Sequence, residues 1–205
     1  MGRPLRFIPR DALIEVTCRT LHGRFLLRPS RDLNEIVLGI LGRAARRYLM
    51  KVCAFVYLSD HAHLLLRPVD AEQLARFMGF ANGNLAKEAG RLHRWRERLW
   101  GRRYRAIVVS HEEAAQVGRL RYLLEQGTKE GLVRSPEEWP GAHSVQALLD
   151  GLPIRGVWFN RSLEYEARRC AKRPGKYEFA EEESVELAPA ITGWSAGSKT
   201  RRSSS

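Results

Sequence analysis

Cysteine is scarce in this chain: Cys18, Cys53 and Cys170 are all there are in 205 residues, an odd and widely spaced set. That excludes a disulfide framework and a cysteine-built zinc site, and it fits a reducing compartment. No apolar run approaches the ~20 residues that cross a bilayer, and the Arg-rich start lacks the apolar stretch of a signal peptide. A cytoplasmic protein with no membrane partner is expected. The chain also lacks a Gly-rich loop of the phosphate-cradling kind, so no nucleotide cofactor is expected. Acidic residues are in short supply, but only in one half. Residues 1–110 hold 21 basic and 9 acidic side chains, whereas residues 111–205 hold 14 of each, so the whole net charge of +12 lies in the first half. Arginine far outnumbers lysine there, and guanidinium forks bind phosphates bidentately, which points to nucleic acid.

Apart from these shortages the composition is that of a globular protein, 44% hydrophobic and 28% charged, enough for one core and an appendage. Residues 1–10 read as a flexible basic lead-in. Ala12 to Thr20 alternates apolar and β-branched residues as a strand does. Ser30 or Asp32 can cap a helix whose apolar residues Leu33, Ile36, Val37, Ile40, Leu41 and Ala44 recur at helical spacing. Lys51 to Leu58, a Ser59-Asp60 turn and HAHLLLRP predict two tightly joined strands. Asp70 caps a second helix running to about Leu92, Tyr104 to Ser110 is a further strand, and Glu112 to about Gln126 is a third helix that Gly127 ends. The first six elements follow the ferredoxin-like split βαβ order. The fold class is therefore α+β: a four-stranded antiparallel sheet with helices on one face, and then a late helix. Residues 11–145 form the domain. Residues 146–205 form an irregular extension in which 145–149 and 163–171 carry helix signals, Trp158, Tyr165 and Trp194 suggest local packing, and GSKTRRSSS reads as disordered.

Chemistry concentrates at His61-Ala62-His63. On a strand, alternation turns both imidazoles to one face and Ala62 to the other, which makes half a metal site. The bland alternative is a pair of half-exposed strand histidines. Tyr122 and Gln126 stand four residues apart on the third helix and so share a face. A tyrosine hydroxyl is a potential nucleophile and a Gln carbonyl a neutral oxygen donor. With two imidazoles they compose a mixed N/O site suited to a divalent metal and a phosphate oxygen. Taken alone, Tyr122 also reads as an ordinary core or rim aromatic.

The segments LSDHAHLLLRP, RLWGRRYRAIVV and LRYLLEQGTKEGLVRSPEEWPGAHS resemble the REP-associated tyrosine transposases, in the single-tyrosine branch of the HUH nucleases, from about residue 10 to residue 145. The resemblance implies that His61 and His63 ligate a metal, Mg²⁺ or Mn²⁺, that Tyr122 is the nucleophile, and that Gln126 completes the metal site. Gln126-Gly127 stands where many members have Asn-Pro, and Ala62 is smaller than the residue usual between the histidines. The implied activity is cleavage and rejoining of single-stranded DNA through a 5′-phosphotyrosine, on hairpin or repeat DNA, by a monomer or a homodimer.

For binding such DNA, Arg91 to Arg105 packs seven arginines around Trp95, Trp100 and Tyr104. Arg91, Arg94, Arg96, Arg98, Arg102 and Arg103 track phosphates in this reading, and Trp100 and Tyr104 either stack bases or pack in the core. Arg43, Arg46 and Arg47 at the end of the first helix, and Arg24 and Arg28 at the sheet rim, extend the surface. Asp60 closes the turn before His61 rather than orienting its ring. His22, His93, His111 and His143 read as surface residues. The rival to the nuclease is a DNA-binding protein or regulator that kept the fold and lost catalysis. An RNA-binding module, which would expose Phe55 and Tyr57 on a central strand, is a third reading.

Overall fold

A computed structural model of the chain describes residues 7–170, 173 and 175–191. The start of the basic lead-in, Trp194 and the GSKTRRSSS stretch lie outside the described residues. The first strand, β1 (Ile14–Arg19), leads through a short turn to α1 (Arg31–Tyr48), then to β2 (Lys51–Tyr57), β3 (His61–Arg67), α2 (Ala71–His93) and β4 (Arg105–Val108). Hydrogen bonding orders the sheet β2-β3-β1-β4 with every neighbour antiparallel, which is the ferredoxin-like arrangement. No helix among the described residues is long and apolar enough to cross a membrane.

Both large helices begin as the sequence implies. The Ser30 hydroxyl accepts from Leu33 N–H at the start of α1, and the Asp70 carboxylate accepts from Gln73 N–H at the start of α2, so each cap satisfies an otherwise orphaned donor. Each helix turns one apolar stripe to the sheet. Leu33, Val37 and Leu41 of α1 and Phe77 and Leu85 of α2 bury against Ile14, Val16, Phe55, Ala62, Leu64 and Leu66. Phe55 and Tyr57 are inside this layer, 0% and 6% exposed, which removes the aromatic surface that an RNA-binding module needs.

The opposite sheet face carries Leu13, Cys53, Val56 and Leu65, which pack against Leu123 of α3 (Glu113–Leu124) and against Trp139. A register shift in β2 between Val52 and Ala54 keeps one apolar set on each face. Here the structure departs from the sequence reading. The third helix stops at Leu124, the chain turns at Glu125, and a separate one-turn helix α4 (Gln126–Lys129) follows. Gly127 is not the terminator: it sits inside α4 because a Cβ there would press on Val133 and Trp139, at 3.1 and 3.4 Å. The left-handed glycine comes later, at Gly131 (φ +67°).

Beyond the sheet, the extension is folded. It comprises α5 (Val145–Asp150), β5 (Ile154–Phe159), α6 (Arg161–Arg169) and β6 (Ala180–Val185), with β5 and β6 paired as an antiparallel ribbon on the outer side of α1. Backbone meets backbone there. A Cβ on Gly39 would fall 2.1 Å from the Val157 carbonyl, and one on Gly156 would fall 2.2 Å from Gly39 N. Trp158 stacks on Phe80 with ring centroids 5.5 Å apart, as local packing of the extension requires, whereas Tyr165 is exposed.

Ionic contacts lock the ribbon down. Arg43 bonds Glu181 and Glu183, both at 2.7 Å, and Arg46 reaches Glu183 at 2.5 Å. Burial acts to raise the Glu183 pKa, but the bonds from Arg46 and Arg43 outweigh it and hold the carboxyl below its ordinary 4.5. A carboxyl with a depressed folded pKa stabilises the protein above its unfolded value and loses that contribution as pH falls through the folded one. Glu183→Gln should therefore lower stability at pH 7 by about 1–3 kcal/mol. In urea titrations the gap from wild type should close as pH drops below 4.5. Gly39→Ala should cost a similar amount, about 1–3 kcal/mol by overpacking, at every pH.

Candidate active site

Residues 61 and 63 lie on the α3 side of β3, while Ala62 between them joins the core under α1 and α2. The rings stand 5.2 Å apart. Antiparallel pairing sets Thr17 of β1 opposite His63 and Arg19 opposite His61, so residues 15, 17 and 19 share the histidine face.

Each imidazole is pinned through Nδ1 by a carboxylate. His63 Nδ1 bonds Glu15 Oε1 at 2.8 Å, and His61 Nδ1 bonds Asp60 Oδ1 at 2.6 Å. Each carboxylate is in turn held by an arginine: Arg119 on Glu15 at 2.9 Å and Arg19 on Asp60 at 2.8 Å. Burial pushes the pKa of both acids up, but the histidine bonds, the arginines and their charges prevail, leaving both below the ordinary carboxylate range. An ionised carboxylate only accepts. Nδ1 must therefore carry the proton, and in the neutral ring Nε2 presents the lone pair, the tautomer that a metal-ligating histidine adopts. This corrects the reading of Asp60 as a turn residue alone: one carboxylate oxygen orients His61 and the other takes Arg19.

The Tyr122 ring lies 6.1 Å from the His63 ring, on α3, and is exposed rather than core. Two cations flank it: the Arg119 guanidinium 5.4 Å and Lys129 Nζ 4.2 Å from the ring centroid. Gln126 is buried, and its amide Nε2 donates to the Tyr122 carbonyl at 2.8 Å, which ties α4 back onto α3. Glu130, just after α4, brings a carboxylate oxygen to 3.7 Å from His61 Nε2, so the α4 turn lies over that histidine.

A cleft of about 450 Å³ opens beside these groups, with His63 and Tyr122 in its wall and Arg19, Arg102, Arg103, Arg105 and Arg119 around it. Of the expected DNA-binding residues, Arg102 and Arg103 thus reach the site. Arg94, Arg96 and Arg98 are exposed near the end of α2, and Arg91 pairs with Glu88. Tyr104 is buried, as core packing requires, and half-buried Trp100 donates its indole N–H to Asn82 O at 2.9 Å. Arg24 lies over Trp95 and Arg28 is exposed. Arg43 and Arg46 do not face the site: they are committed to Glu181 and Glu183, and Arg47 lies over Tyr48 and Phe80. His22, His93 and His111 are exposed. His143 is half-buried, accepts from Val145 N–H, and has its pKa lowered by burial.

Arg105, the last arginine of the expected DNA-binding window, also lines the cleft, whereas the sequence reading missed Glu15, Arg19, Arg119 and Lys129. A lone carboxylate inside the apolar run ALIEV is the one local signal for Glu15, since a buried charge needs a partner. Among the described residues no three His, Cys, Asp or Glu side chains form a metal cage.

An antiparallel α+β domain in which one of two paired histidines, His63, meets a helix-borne tyrosine in an arginine-lined cleft is suited to holding a phosphodiester chain. Residues 25–126 match the family described as transposase IS200 like. His61, His63, Tyr122 and Gln126 all fall within the match, whereas Glu15 and Arg19 precede it. The fold resembles a REP-associated tyrosine transposase solved bound to a REP hairpin, with a TM-score of 0.56, 16% identity, and coverage of 74% of this chain and 88% of that one. A putative transposase from Deinococcus radiodurans R1 aligns at 18% identity over 60% of this chain and 96% of its own, with a TM-score of 0.41. None of the curated proteins matches the chain in sequence.

The carboxylate clamps predict the histidine tautomers. In ¹⁵N spectra both rings should carry the proton on Nδ1. Asp60→Ala should abolish that preference at His61 and leave His63 unchanged.

Proposed function

We propose that this protein is a transposase, a divalent-metal-dependent single-stranded DNA endonuclease and strand transferase that works through a 5′-phosphotyrosine at Tyr122 on hairpin or repeat DNA. The observation that carries this reading is the placement of Tyr122 beside His63, with His61 next to that ring and the Nδ1 atoms of both imidazoles engaged by carboxylates. The family match supports it, as does the hairpin held by the similarly folded transposase.

The donor set suits a hard divalent ion, Mg²⁺ or Mn²⁺: Nε2 of His61, Nε2 of His63, and the Oε1 end of Gln126, whose Nε2 is already spent on the Tyr122 carbonyl. When bound, the ion supplies Lewis acidity at the scissile phosphate and at the departing oxygen. The chain's own residues do the rest. Arg19, Arg102, Arg103, Arg105 and Arg119 draw the strand into the cleft by its phosphates. Tyr122 passes its phenolic proton to solvent as its oxygen attacks phosphorus, and the Arg119 and Lys129 cations beside the ring meet the phosphate that arrives there. The P–O3′ bond breaks, the 3′-oxygen takes up a proton, and the 5′-phosphate stays on Tyr122. Rejoining is the reverse: a 3′-hydroxyl attacks the phosphotyrosine and tyrosine leaves. One phosphodiester is exchanged for another, so no energy source is consumed.

A labelled hairpin with an unpaired flank, incubated with Mg²⁺ or Mn²⁺, should form an SDS-stable protein–DNA adduct that chelation abolishes. Tyr122→Phe should form none while binding the hairpin as wild type does. Tight binding without an adduct in either protein would establish the DNA-binding reading instead. Glu15→Gln, which loosens the anchor of His63, should weaken Mn²⁺ binding by about 10–100-fold in a calorimetric titration.

A further inference from the structure

Beyond the Tyr122 cleft a second groove, of about 480 Å³, lies on the far side of the loop that precedes β4. Ala75, Gly79 and Asn82 of α2 form one wall, and Arg98, Trp100 and Arg102 the other. Its volume lies within the range of ligand pockets, yet its lining is unlike that of a small-molecule site. Guanidinium groups stand beside an indole ring that is held in place by its bond to the Asn82 carbonyl. Cations lining a groove with a fixed aromatic suit a phosphate chain that carries unstacked bases.

Two features tie this groove to the first. Arg102 and Arg103 line both, so a strand leaving the Tyr122 cleft crosses these two arginines and enters the α2 groove without leaving positive surface. On the α2 wall stands Gly79, and Gly83 follows one turn later outside the groove; among the described residues no atom lies within 4 Å of where a Cβ would be on either. Glycine within a helix costs about 1 kcal/mol against alanine, and the packing of the described residues requires neither one. A bare helix surface lets another molecule approach the backbone closely.

We propose that the α2 groove is a nucleotide subsite that holds unpaired nucleotides flanking the phosphate at Tyr122. This rests on the single-stranded DNA reading above and extends it to a binding site separate from the reacting groups. The occupant is single-stranded because only unpaired bases offer a face to Trp100. In duplex DNA every base face is already covered by its neighbours.

The test measures binding by the full-length chain, using fluorescence anisotropy. The probes are labelled hairpins with no flank, with an unpaired flank on either side, or with that flank paired into duplex. Wild type should bind one of the unpaired-flank hairpins about tenfold more tightly than the bare hairpin, the gain from stacking roughly one base. Gly79→Leu should lose that gain, keep wild-type affinity for the bare hairpin, and melt no lower than wild type, since leucine is the better helix former and meets open space. Arg98→Gln, on the opposite wall, should reduce the same gain by removing charge instead of filling space. A full gain retained in Gly79→Leu, or an equal gain from the paired flank, would overturn the proposal. Because the readout is binding, it is separable from catalysis. Flank-dependent binding without a Tyr122 adduct would sink the cleavage reading and leave the groove standing, while an adduct without flank dependence would do the reverse.

Discussion

The antiparallel pairing of β1 with β3 is the constraint from which the site follows. It is a backbone ladder in the middle of the sheet, with Ile14 opposite Leu66 at one end and Arg19 opposite His61 at the other. Because side chains alternate, one register sends Ile14, Val16 and Cys18 into the core beneath α1 and α2, and sends Glu15, Thr17 and Arg19 to the histidine face. A slip of one residue would bury Glu15 and Arg19 under the helices and strand the histidines without partners. The hydrophobic core and the active-site geometry are thus set by the same ladder, and the energy that holds one in register holds the other.

That coupling explains how charged groups survive beside a packed core. Glu15 is 2% exposed, and an unpaired carboxylate there would be costly. It carries His63 on one oxygen and Arg119 on the other. Asp60 repeats the pattern with His61 and Arg19. Arg119 serves twice, since its guanidinium also lies near the Tyr122 ring. It thereby links α3, which carries Tyr122, to β1, whose Glu15 orients His63.

Charge plays a different part on the outer side of α1. Part of the basic excess of the first half is spent within the molecule's own ion pairs, where Glu181 and Glu183 of β6 neutralise Arg43 and Arg46. The excess available for a polyanion is correspondingly concentrated around Tyr122 and along the loop before β4. The extension thus neutralises two arginines of one cluster while leaving the other cluster open to the cleft.

Strands and helices up to residue 124 were readable because each carries its own period, to which α1 and α2 add the caps Ser30 and Asp70. The shared face of the two histidines was readable because alternation along a strand decides it, whereas Tyr122 and Gln126, expected on one face of one helix, fall on α3 and on the separate α4, the first exposed and the second buried. The ribbon was not: AEEESV has no strand-like apolar alternation, and it forms a strand because its glutamates meet Arg43, Arg46 and Arg155 from distant parts of the chain. Glu15 and Arg119 were invisible as partners for the same reason, being 104 residues apart and joined only when β1 and α3 meet across the sheet face. Local periodicity is a property of neighbouring residues and survives in the sequence. Which face meets which, and so which acid holds which histidine, is a property of strand register and helix docking, and these exist only once the chain has folded.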